Sequence, residues 1–208
     1  TYITRAWFKA HRHINDFEEG IAEIRQAIDL AKQYSLPDVI MMGYAVFAWL
    51  LIYWGRSDEA EQVLQEAVEL EERSGTLLPA FLLGWLDFFS GEQWELGISQ
   101  LRLHIERLDQ LHVSYVAAVA RIALAHLLLA RNEVAEAQMQ LQVARPALEL
   151  SNEYIYSAPF WWGLAKLHSI QGDPNQAQHW YEYSLKRWKT PDDTFIIFPL
   201  LLDGILYY

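Results

Sequence analysis

Four basic residues near the start of the chain, Arg5, Lys9, Arg12 and His13, stand at i, i+4, i+7 and i+8. On a helix with 3.6 residues per turn this spacing gathers them on one face. A cationic stripe of that kind can hold an anion through charge-assisted hydrogen bonds. It is conspicuous here because the 208 residues include 27 acidic against 16 basic side chains, a formal net charge of -11. That balance argues against a general affinity for nucleic acid or for an anionic membrane, so any basic recognition surface must be local.

The remaining chemistry-bearing residues converge poorly. His11 and His13 are two positions apart, which on a helix directs them roughly 200° apart, a poor geometry for one metal. His104 and His112 lie eight positions apart without a carboxylate pattern around them, and His168 and His179 flank a turn. Glutamate-rich stretches such as "ELEER" read as solvating charge rather than as a general acid and base pair. The chain has no cysteine, so disulfides, thiolate zinc sites and cysteine nucleophiles are excluded. It also has no G-x-x-x-x-G-K-[ST] phosphate loop. The expectation is a chain that is not an enzyme and holds no metal and no cofactor.

What positions these residues is a repeat. Five similar runs begin at Asn15 ("NDFEEGIAEIRQAI"), Gly55 ("GRSDEAEQVLQEAV"), Glu92 ("EQWELGISQLRLHI"), Asn132 ("NEVAEAQMQLQVAR") and Gly172 ("GDPNQAQHWYEYSL"). These starts recur with a period of about 40 residues, the signature of an array of supersecondary units. Five positions after each start comes a small residue: Gly20, Ala60, Gly97, Ala137 and Ala177. Four further on comes a large one: Ile24, Leu64, Leu101, Leu141 and Tyr181. Three beyond that, Ala27, Ala67 and Ala144 recur, with His104 and Ser184 as departures. These offsets share one helical face, where small residues let a neighbouring helix come close.

A second apolar helix precedes each turn, with Tyr44, Phe47, Ala48 and Leu51 on its packing face in the second unit, Leu124, Ala125 and Leu128 in the fourth, and Trp161, Leu164 and Ala165 in the fifth. Pro79, Pro159 and Pro199 are expected to mark helix starts, where the missing N–H is not needed. The third unit could equally begin at Gly91, which would rotate its helix by one position. With 52% hydrophobic and 21% charged residues, the chain can bury a core throughout. The units are expected at about 1-36, 37-75, 76-112, 113-152, 153-190 and a partial 191-208, forming one repeat domain over 1-208. The apolar ends "TYITRAW" and "DGILYY" lack a polar cap, which suggests excision from a longer protein or end-to-end association.

This pattern of aromatic-rich first helix, Gly or Asn-Asp turn, then alanine, large apolar residue and alanine resembles the tetratricopeptide repeat. "YAVFAWLLIYWGRSDEAEQVLQEAVEL" is the best copy. Such a repeat normally has about 34 residues. The longer period is similar to the helical-repeat superhelix of MalT/LuxR-type signal-transduction ATPase regulators. The resemblance implies an all-α fold: a right-handed superhelix, or α-solenoid, of antiparallel helix pairs, with about five repeats plus a truncated sixth.

It also implies that the first helix of each pair lines a concave groove. The groove residues expected on this basis are Arg5, Lys9, Arg12, Trp49, Tyr53, Phe89, His126 and Trp162. Trp49 and Trp162 are expected to be open to the groove, while Trp7, Trp85 and Trp161 fill core. Where a carboxylate clamp for chaperone tails would want asparagine, the second unit offers Ala45 and Trp49, so that activity is not expected. The function implied is a cytoplasmic, non-catalytic module that binds a protein segment or small-molecule inducer and signals to neighbouring domains. It makes no direct contact with nucleic acid or membrane. The alternative is a structural scaffold that associates end to end as a homo-oligomer through Phe195, Phe198 or Tyr207.

Overall fold

The structure is a computed structural model that describes residues 17–74, 94–150 and 154–188. Among these residues there are eight helices and no strand: α1 (Phe17–Gln33), α2 (Pro37–Tyr53), α3 (Ser57–Ser74), α4 (Trp94–Gln110), α5 (Ser114–Ala130), α6 (Val134–Leu150), α7 (Tyr154–Ile170) and α8 (Pro174–Trp188). The chain divides into two compact units, Thr1–Ser90 and Gly91–Tyr208. In the first, α2 packs on α1 and α3; in the second, α5 packs on α4, α6 and α7, and α7 also packs on α6 and α8. Each unit is a stack of neighbouring antiparallel helices, a tetratricopeptide-like helical solenoid.

The two kinds of helix follow from two kinds of sequence. Helices α1, α3 and α4 are amphipathic, with acids in the first turn (Glu18 and Glu19, Asp58 and Glu59, Glu95) and a base in the last (Lys32, Arg73, Arg107). That distribution opposes the helix dipole at both ends. Helices α2, α5 and α7 are apolar around most of their circumference. In α5, Ala117 to Ala120 and Ile122 to Leu129 are all buried, as expected of a helix without a polar stripe.

Each described turn between helices has three residues, and the middle one has a positive φ: Ser35 (52°), Gly55 (70°), His112 (57°), Asn132 (62°) and Gly172 (78°). The third residue's N–H reaches back to close the preceding helix, as in Arg56 to the Leu51 carbonyl (2.9 Å) and Glu133 to Leu128 (2.8 Å). The middle residue's N–H bonds three positions back, as in Gly55 to Ile52 (3.1 Å). This is the Schellman arrangement, which satisfies the last carbonyls of a helix and requires a left-handed residue. The third residue then opens the next helix; Asp173 does so with its side chain as well, accepting from the Gln176 N–H at 3.1 Å.

The small residues sit where helices meet. Gly20, Ala60, Gly97, Ala137 and Ala177 are all buried, and Ile24, Leu64, Leu101, Leu141 and Tyr181 are at most 2% exposed. The departures His104 and Ser184 are buried too, and the Ser184 hydroxyl donates to the Ala158 carbonyl at 2.9 Å. Trp94 starts α4 two positions after Glu92, the same offset as at the other turns, so Glu92 rather than Gly91 fixes the third register. One expectation fails: Pro159 lies inside α7, five positions after its first residue. The helix starts observed at prolines are those at Pro37 and Pro174, where the ring occupies the first helical position and displaces no hydrogen bond. Pro79 and Pro199 lie outside the described residues.

Candidate functional site: the inter-helix clefts

The expected groove residues divide into those outside the described residues and those that are covered. Arg5, Lys9, Arg12 and Phe89 lie outside, and Tyr53 belongs to α2 but its side chain is not among those described. Trp49, His126 and Trp162 are buried, at 6%, 0% and 1% exposure. They therefore present no open groove surface, contrary to expectation for the two tryptophans. The reason is visible in α5: neighbours on several sides leave it no free face, so the stripe assigned to a groove is a helix contact. His126 and Trp162 do come together, with ring centroids 4.6 Å apart, but inside the α5–α7 contact. The continuous run "IALAHLLLA" was the signal that could have shown this.

A concavity lies elsewhere, beside Tyr44, which is itself buried. Aligning Phe17 with Trp94 sets the block α1–α3 against α4–α6, and aligning Phe17 with Val134 sets it against α6–α8, with all three helix starts in register each time. Every residue of the first block thereby has a counterpart in the other two. In the first block, Tyr44 of α2 lies between α1 and α3: its hydroxyl donates to Glu66 Oε2 at 2.7 Å, and Lys32 Nζ stands 3.7 Å from the same oxygen and 5.3 Å from the ring centroid. Burial, with the Glu66 hydrogen bond adding to it, pushes the phenol's pKa up; the phenol in turn holds the Lys32 ammonium above its ordinary value. Around this trio Ile40, Glu69, Leu70 and Arg73 line a concavity of ≈ 550 Å³.

The counterparts of Lys32, Tyr44 and Glu66 are Asp109, Arg121 and Val143, then Glu149, Trp161 and Tyr183. Arg121, 12% exposed, donates to Asp109 Oδ2 at 2.6 Å, while Val143 is exposed. In the third block Trp161 stacks on Trp180 at 4.9 Å and meets Tyr183 edge-on at 4.8 Å. Arg145 stands 6.0 Å from the Trp161 centroid and donates to Glu149 Oε1 at 2.7 Å. One position of the repeat thus carries an ion-paired phenol, a largely shielded guanidinium and an aromatic stack. The phenol borders the concavity and can hold polar groups there, whereas the Trp161 stack is buried and serves packing. Sequence reasoning placed Tyr44 and Trp161 only as packing residues and missed the clefts, although comparing the units position by position would have separated this variable site from the constant small and large residues.

Between the second helices of successive pairs runs a repeated ion pair: Arg25 to Glu59 at 3.7 Å and, at the matching place in the next block, Arg102 to Glu136 at 2.7 Å. At the following junction the corresponding residues are Gln142 and Gln176, and a Gln171 to Gln138 hydrogen bond of 3.1 Å lies nearby. Among the described residues no group of three or more His, Asp or Glu side chains could hold a metal ion, and no helix is long and apolar enough to cross a membrane.

Residues 43–74 match the tetratricopeptide repeat family. The match spans the turn between α2 and α3 and most of both helices, including Tyr44 and Glu66. Tetratricopeptide repeats generally mediate protein–protein interaction and are typically non-catalytic. No curated protein matches the chain.

Proposed function

We propose that this chain is a non-catalytic protein-interaction or ligand-sensing module of a long-period tetratricopeptide type, similar to the superhelical domain of MalT/LuxR-type regulators. The long period is supported by the starts of α1, α3, α4, α6 and α8 at Phe17, Ser57, Trp94, Val134 and Pro174, which recur about every 40 residues. In this reading the chain passes occupancy to neighbouring domains of a transcription regulator, as a quasi-one-dimensional array can by changing curvature. A cytoplasmic location belongs to the same reading, being compatible with a chain free of cysteine.

One observation carries the recognition role. The first two framework positions stay small and large from repeat to repeat, whereas the position between helices changes from Tyr44 to Arg121 to Trp161. Packing alone therefore does not dictate the cleft chemistry, which is free to serve a partner. Arg5, Lys9 and Arg12 remain in the proposal as the cationic contact for an acidic segment.

The test is to pan a displayed peptide library against the full chain and measure the affinity of selected peptides by fluorescence anisotropy. Three variants are compared: Arg5→Glu with Lys9→Glu, Glu66→Lys, and Trp180→Ala. Loss of about tenfold or more in at least one variant supports recognition through these surfaces. Equal affinity in all three overturns it, and a light-scattering mass of two or more copies with no selected peptide favours the scaffold.

A further inference from the structure

Among the described residues, one titratable ring is wholly enclosed and bridges consecutive repeats. His126 of α5 is 0% exposed and its Nε2 lies 2.9 Å from the Pro159 carbonyl oxygen of α7. A carbonyl can only accept, so Nε2 carries the proton and donates. The ring leans on Trp162 at 4.6 Å and 47°. Gly163 of α7 lies alongside: a Cβ there would touch Nε2 at 3.4 Å and press more closely on Leu141 Cδ2 of α6, at 3.2 Å.

The charged surroundings oppose a second proton. From α7, Lys166 acts on the ring as a like charge, its Nζ standing 4.7 Å from the Trp162 centroid. From α6 the neighbour at this point is the apolar Leu141. Helix α4, which also packs on α5, carries His104, Arg107 and Asp109, the last paired with Arg121 of α5. Helices α5 and α7 are the first helices of successive pairs, so their contact sets how one pair sits on the next.

We propose that His126 is an acid-operated latch on this junction: the neutral ring sits enclosed with its Nε2–H on the Pro159 carbonyl, whereas a second proton places a charge there that this one bond cannot solvate, so the charged ring reaches water only as α7 parts from α5. Burial first, and Lys166 second, push its pKa down to about 3. The folded value lies below the ordinary 6.5, so the closed junction is fully stable above that pH and loses stability steadily as the pH falls towards 3. The device is independent of what the clefts bind.

The experiment is amide hydrogen exchange of the full chain between pH 7.5 and 4, corrected for the intrinsic pH dependence. One histidine that must charge on opening raises the opening constant by about tenfold per pH unit below its ordinary pKa. Protection in α5 and α7 is expected to fall at least that steeply, more so where His104 opens with them, and His126→Gln, which keeps a donor but cannot titrate, is expected to be shallower by about tenfold per unit. Should His126→Gln fail to fold, His126→Leu serves: it too cannot titrate and is expected to show the same shallower profile. Identical pH profiles for the wild type and whichever variant folds overturn the proposal.

Discussion

The blocks α1–α3 and α6–α8 start their helices in the same register and carry opposite chemistry. In the first, a phenol is held between an ammonium and a carboxylate; in the second, the same position is a tryptophan stacked on another tryptophan. The helix starts and the turns that hold the left-handed glycines at 55 and 172 correspond. The contrast shows that small and large framework residues hold the repeat together, while the intervening position contributes stability through whichever interaction its side chain can make.

Removing the aromatic stack should disturb this balance most. Trp161 is 8% exposed, so Trp161→Ala should cost about 3–5 kcal/mol in the second unit, read from urea unfolding by circular dichroism. A loss below about 1 kcal/mol, well under the usual cost of emptying a buried tryptophan site, would show that the stack rests on the surface instead of supporting the fold.

Acid should separate the two units next. The described residues of the first unit contain no histidine, while the second buries His104 and His126, whose pKa values are pushed by burial down to about 4 and about 3. Arg107 and Lys166 add to the respective shifts. Each is lower folded than unfolded, so stability present above pH 6.5 is lost on descending, on the order of 3 kcal/mol per histidine by pH 4. Hydrogen exchange resolved by helix should show α4–α7 opening before α1–α3; simultaneous opening would contradict the assignment.

Tyr44→Phe isolates the polar version of the cleft. It removes one hydrogen bond to a carboxylate that stays half-exposed, so about 1 kcal/mol should be lost from the first unit and none from the second. Unfolding curves with a probe in each unit check this. The smallest effect belongs to the ion-pair stitch, in which Arg102 and Glu136 are both partly exposed. An exposed pair of this kind contributes little, so Arg102→Met should cost at most about 0.5 kcal/mol at low salt. Molar salt should shrink the loss further by screening. A salt-independent loss would indicate that the aliphatic stem, and not the charge, is what matters there.

The helices and their registers were legible because a turn requiring a positive φ and a face requiring small residues both leave marks at fixed spacing. Gly55, Asn132 and Gly172 announce the turns; Ala60, Ala137 and Ala177 announce the close contacts. Ser35 and His112 occupy the same left-handed position without an obvious mark, since a Schellman turn constrains the backbone more than the side chain. Trp49 and Trp162 were misjudged because helical period says which residues share a face and is silent on whether another helix lies over it. Pro159 misled for a related reason: proline favours a helix start, yet tertiary packing holds it within α7.

An array of helices joined by tight turns, with a set spacing and a set packing face, could be read directly from the order of residues, because those are local demands of backbone geometry and side-chain volume. Which faces remain open could not. Burial of Trp162 and His126 depends on α5, α6 and α7 closing together, and the meeting of Lys32, Tyr44 and Glu66 depends on three helices converging. These are consequences of residues far apart in the chain sharing space, which no local spacing encodes.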